Sequence, residues 1–214
     1  MTKKKLAGIS LAAMMALSLA ACGNSDSSDS SAATTTKAAG TSADVKDSTA
    51  ADDGGDAGFN EYPIFEDEEV GFLNVSAVYF QPVPMTDGNG IEDYNIHLEA
   101  DVAALENKLG YGVGDWVPYL TVDYKITNEE SGSEAASGTF MVMSASDGPH
   151  YGANVKLPDA GTYTVEFTFH SPAENNYLLH TDAETGPGGS FDDYFKDGNL
   201  TVKHEGWKYV PQEW

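Results

Sequence analysis

The chain has no arginine. All 11 basic residues are lysine, and they face 34 Asp and Glu for a net charge of −23. Three of the lysines stand together at positions 3–5, so a chain shorn of that leader carries 8 Lys against 34 acids, or −26. Binding to nucleic acid rests on a basic footprint for the phosphates, and none is present. Phosphorylated or acidic small ligands are disfavoured for the same reason, whereas cations are concentrated near such a surface. Solubility at a cell surface accounts for most of the acidic excess, so charge alone does not identify a metal protein.

Cysteine is almost absent too. With Cys22 as the only one, no internal disulfide can form and no thiolate cluster can hold a metal. A metal site would have to use His, Met and carboxylates. The chain also lacks a Gly-x-Ser-x-Gly elbow, a glycine-rich phosphate loop, a His-Glu-x-x-His helix and internal repeats, and nothing in it points to an enzyme.

The N-terminus is rich in compartment signals. Lys3, Lys4 and Lys5 precede an apolar stretch over 6–19, which ends in Leu19, Ala20, Ala21 and Cys22. The stretch is too short to span a bilayer and has the layout of a secretion signal. Small residues running into a cysteine resemble a bacterial lipobox. On that reading residues 1–21 are a lipoprotein signal peptide, and Cys22 carries the lipid at the extracytoplasmic face of the cell membrane. Residues 22–57 are Ser, Ala, Thr, Gly and Asp with almost no large apolar side chain. That composition cannot offset chain entropy by burial and is expected to form a tether. Residues 58–214 are then one domain of ordinary size.

Within that domain the pattern is one of strands. A β-branched and aromatic run covers 75–80. Residues 94–101 alternate, with Ile96, Leu98 and Ala100 on one face and His97, Glu99 and Asp101 on the other. Further strands are predicted over 119–127, 139–144, 161–170 and 200–204, the last extended or followed by 207–210. A polar turn is expected over 128–138, and only 102–109 reads as helical. About seven short strands separated by turn signals predict an immunoglobulin-like antiparallel β-sandwich, with a closed barrel as the alternative.

Three segments carry candidate ligands. His97 and Glu99 lie two apart in a strand and project from one face, spaced to share a cation; a solvated polar face is the competing explanation. Met141 and Met143 share a face opposite Phe140 and Val142, and Asp147, Gly148 and Pro149 form a turn that presents His150. A thioether beside an imidazole suits a soft or borderline metal, although two core methionines and a loop histidine would look the same. His180 lies in a later loop, with Asp182 or Glu184 placed to orient its ring. His170 and His204 read as ordinary surface histidines.

Several runs resemble a known family. Ile-His-Leu-Glu-Ala-Asp at 96–101, Trp-Val-Pro-Tyr-Leu at 116–120, Gly-Thr-Phe-Met at 138–141, Ala-Ser-Asp-Gly-Pro-His-Tyr-Gly-Ala-Asn at 145–154 and His-Thr-Asp-Ala-Glu-Thr-Gly at 180–186 are similar, in this order, to the periplasmic Fe2+ transport proteins, which include membrane-antigen lipoproteins. The resemblance implies an immunoglobulin-like sandwich, a homodimer and a copper site near the dimer interface. It also implies work beside a membrane iron permease in high-affinity iron uptake, with copper(II) or iron(II) as the bound metal. By position it places the metal ligands at His97, Glu99, Met143, His150 and His180, with Met85 at a second metal position. The family tends to have a second histidine two residues before the one at 180. This chain has Leu178 there, which weakens the case for any site needing that ring. A copper chaperone or copper-resistance lipoprotein unrelated to iron is the main alternative, and a surface antigen or adhesin without a metal role is the other.

Overall fold

A computed structural model describes residues 60–214. The leader, Cys22 and the tether expected over 22–57 lie outside the described residues. Among the described residues, no helix is long and apolar enough to cross a membrane.

Among the described residues nine strands form two antiparallel sheets, and the sandwich predicted from the strand pattern is what the chain adopts. The strands are β1 (Tyr62–Val70), β2 (Leu73–Phe80), β3 (Ile96–Ala104), β4 (Thr121–Asn128), β5 (Glu134–Thr139), β6 (Met141–Ser144), β7 (Pro149–Val155), β8 (Gly161–His170) and β9 (Leu200–Tyr209). One sheet runs β1-β2-β3-β7-β6 and the other β5-β4-β8-β9. The core lies between them. Leu73, Val75 and Ala77 of β2 and Ile96, Leu98 and Ala100 of β3 are fully buried, as are Val165, Phe167 and Phe169 of β8. The period-2 alternation of apolar side chains puts each set on the inner face of its sheet.

Four expectations are corrected. Residues 102–109 are not helical. Val102 to Ala104 complete β3, and the chain beyond is held by Asn107, whose side chain donates to the Leu105 and Tyr111 carbonyls and accepts from the Leu109 amide. Local amide bonds of this kind compete with a helix for the same backbone groups. The polar stretch 128–138 is a turn only in its first half. Its second half is β5, an edge strand whose residues are nearly all exposed and so lack apolar alternation. The predicted strand 139–144 is two strands in different sheets. The Phe140 amide donates to the Val122 carbonyl at 2.8 Å, its ring packs on Tyr124 and Phe167, and the chain leaves one sheet there for the other. Val142, opposite Tyr151 on the edge strand of the second sheet, is consequently 57% exposed rather than joining the core. Finally, Pro149 and His150 do not end a turn but begin β7.

β1 gave no clean alternation because its pairing with β2 slips twice, between Pro63 and Phe65 and between Phe65 and Glu68, with Asp67 at φ 56°.

Tyr151 of β7 fastens the sandwich beside the site. Its hydroxyl donates to the Val117 carbonyl at 2.8 Å and accepts from the Leu120 amide at 3.1 Å, all in the interior. Tyr151→Phe leaves two backbone groups unpaired and is expected to cost about 1–3 kcal/mol in denaturant unfolding.

Candidate metal centre

The site lies on the outer face of the five-stranded sheet. In the β3/β7 ladder His97 stands opposite Asn154, and Glu99 opposite Gly152; in the β6/β7 ladder Met143 stands opposite His150, and Met141 opposite Gly152. Side chains two apart on a strand share a face, so this register gathers His97, Glu99, His150 and Met143 over neighbouring strands. An outer face would ordinarily be wet. Here the β2–β3 connection folds over it, and the Val83 amide and carbonyl both bond the Asn154 side chain. His97 is 0%, His150 4% and Glu99 6% exposed. A cleft of about 710 Å³ opens above them, with Met143, Met85 and Met141 in its walls and Glu61, Asp87 and Asp147 near its mouth.

The three buried groups converge. Glu99 Oε1 is 3.0 Å from His150 Nε2 and 3.3 Å from His97 Nε2, and one ligand atom from each residue lies within 4.8 Å of the others. Despite the short separations neither Nε2 is aligned for a hydrogen bond, and both nitrogens are buried without a partner. Two imidazole nitrogens and a carboxylate oxygen brought together in a buried pocket suit a cation or protons among them. A borderline divalent transition ion fits this N2O set, with thioether sulfur available from the cleft walls.

Gly152 is what admits the His97 ring. A Cβ there would lie 2.8 Å from His97 Nε2 and 3.3 Å from the Leu98 carbonyl oxygen. Gly152 and Asn154 were not among the sequence candidates because no strand was read beyond the turn at Asp147, Gly148 and Pro149; their i, i+2, i+4 spacing with His150 was the available signal.

His180 is elsewhere. Its side chain is 74% exposed and does not line the cleft. Its Nδ1 lies 2.8 Å from Thr185 Oγ1, which itself donates to Asp182 at 2.6 Å. Since the threonine has only one proton to give, the ring must donate from Nδ1, which leaves Nε2 as the outward lone pair. Asp182 thus orients His180 through Thr185 rather than directly. His170 and His204 have carboxylate partners of their own, Asp123 and Glu68, each at 2.9 Å.

A profile of the Fe2+ transport proteins matches residues 58–210. The chain belongs to this family. It is 48% identical over 145 residues to the 34 kDa membrane antigen of Treponema pallidum, covering 64% of this chain and 70% of that one. The FetP protein of uropathogenic E. coli strain F11 shares 41% identity and superposes with a TM-score of 0.64, over 73% of this chain and all of that one. The copper-reconstituted P19 protein of Campylobacter jejuni shares 34% identity with a TM-score of 0.65, over 72% of this chain and 99% of that one.

Electrostatics couple the buried pair. Burial alone would raise the Glu99 carboxyl, but the imidazoles of His150 and His97 outweigh it and bring its pKa from 4.5 down to about 2. His150 is raised above 6.5, chiefly by its contact with Glu99, against the opposing effect of burial. These shifts are one attraction seen from two sides. The lowered Glu99 contributes stability above 4.5 and loses it as pH falls toward 2; the raised His150 contributes below 6.5 and loses it as pH rises through its elevated value. In the metal-free protein, the stability lost by Glu99→Gln should therefore be largest between about pH 4.5 and 6.5 and shrink on either side, as followed by urea unfolding across pH.

Proposed function

We propose that the protein is a lipid-anchored, extracytoplasmic binding protein for copper(II) and iron(II), acting beside a membrane iron permease in high-affinity iron uptake. The observation that carries this is the convergence of the unpartnered Nε2 atoms of His97 and His150 on Glu99 in a buried pocket. Met143 supplies a thioether, and Met85 also lines the cleft for a second metal position. Copper binds most tightly along the divalent series, so it is the expected occupant in vitro, while the imidazoles and carboxylate also suit iron(II). The solved P19 relative holds copper, and membership of an Fe2+ transport family supports the link to iron.

A homodimer is part of this proposal. His180 presents a free Nε2 outward and far less buried than the other ligands, which suits a ring that completes the site of a second copy rather than its own. Cys22, behind a leader of signal-peptide layout, provides the anchor.

Copper titration is the direct test. His97→Ala and His150→Ala should each weaken binding by more than the roughly 10–100-fold that loss of an outer-shell group costs. Gly152→Ala, which pushes the His97 ring aside, should weaken it by about 10-fold or more. Unchanged binding in both histidine variants would reject the site. For the link to iron, a deletion strain should grow poorly under iron restriction; normal iron uptake with heightened copper sensitivity would instead favour a copper-resistance role.

The pH dependence has a definite sign. Copper must displace the proton on His150, whose pKa lies above 6.5. Affinity should therefore rise with pH through and beyond that value. In Glu99→Gln, which removes the group that raises His150, the rise should move to lower pH. An affinity flat between about pH 5 and 8 contradicts a multi-histidine site.

A further inference from the structure

We infer that Asn154 is a positioning residue of the metal centre: it dictates which nitrogen of His97 carries the proton and so frees the other for the metal. This rests on the metal-binding role proposed above.

Two backbone groups at Val83 have hydrogen-bonding roles that cannot vary. The Val83 amide must donate, and it meets the Asn154 side-chain oxygen at 3.1 Å. The Val83 carbonyl must accept, and it meets the Asn154 nitrogen at 2.8 Å. Together they fix which end of the carboxamide is which, an assignment that side-chain geometry alone leaves ambiguous. The oxygen so fixed also lies 2.9 Å from His97 Nδ1. A carboxamide oxygen only accepts, so His97 Nδ1 must donate. In the neutral ring the single proton is then on Nδ1, and Nε2 is a bare lone pair.

That lone pair lies beside Glu99 Oε1, 3.3 Å away. Two lone pairs facing each other are unfavourable until a positive charge sits between them. Without Asn154 the ring is free to turn, move its proton to Nε2 and donate to Glu99, which closes the site. Asn154 forbids it, which keeps the pocket poised for a metal ion or a second proton. The same amide anchors the segment carrying Met85, two residues beyond Val83, so the ring and that wall of the cleft share one support.

The competing explanation is that Asn154 merely ties down the β2–β3 connection. A readout on the metal-free protein separates the two. Long-range proton–nitrogen NMR of 15N-labelled imidazoles, at a pH about two units above the ordinary imidazole value of about 6.5, reports which ring nitrogen is protonated. Wild type should carry the His97 proton on Nδ1. Asn154→Ala should move it to Nε2 and weaken copper binding by about 10–100-fold. Asn154→Asp keeps an acceptor for Nδ1 while setting a carboxylate oxygen against the Val83 carbonyl, so its proton should remain on Nδ1 and its copper affinity should stay closer to wild type than that of Asn154→Ala. A proton on Nε2 in wild type or in Asn154→Asp overturns the inference, as does an Asn154→Ala protein with the wild-type tautomer and affinity. Should Asn154→Ala fail to fold, the wild-type and Asn154→Asp tautomers decide. A wild type that binds no copper defeats the proposed function, while the tautomer still tests the role of Asn154.

Discussion

A carboxylate buried between two imidazoles organises this molecule's working face. Glu99 is taken out of water on the outer side of a sheet, in a chain that has no arginine with which to neutralise it. Burying such a charge is costly unless it is paired. Among the described residues, the rings of His97 and His150 stand beside it, and neither Nε2 is aligned to satisfy it as a hydrogen-bond donor. The arrangement makes sense as a ligand set whose missing charge is a cation, with protons as competitors for the same place.

The rest of the fold serves that geometry. Inward residues of β3 pack the core and lock the register; their outward neighbours are then forced into position, because slipping by one residue would send His97 and Glu99 inside and Leu98 out. β7 brings His150 alongside, gives up a side chain at Gly152 to admit the His97 ring, and places Asn154 against its far nitrogen. The β2–β3 connection folds over this face and ties to Asn154. Edge strand β6, reached by the chain's change of sheet at Phe140, adds the methionines. The sandwich is therefore a scaffold that turns strand alternation into ligand placement.

Part of this was legible in the sequence. Strict alternation over 94–101 put His97 and Glu99 on one face, and that is where they lie. The strand-rich pattern also foretold two packed antiparallel sheets. Alternation could not tell that this face would be covered, since the covering segment is an irregular connection without periodicity. Residues 149–155 were hidden behind turn-forming neighbours, Asp147, Gly148 and Pro149, so His150 read as a loop residue and the two supports on the same strand went unseen. The exposed edge β5 has no apolar face to betray it. Helix-forming residues over 102–109 misled because Asn107 and the ladder of β3 compete for the same backbone groups. His180 was legible as a ring with an orienting partner, but its distance from the cleft is a property of the fold.

The central claim is that a metal ion sits where His97, Glu99 and His150 converge. Anomalous diffraction at the copper edge from copper-loaded crystals tests it most directly. A peak is expected within bonding distance of both Nε2 atoms, with Met143 sulfur beside it and His180 of a second copy closing the site. Copper located only at exposed carboxylates, with the two imidazoles uncoordinated, would contradict it.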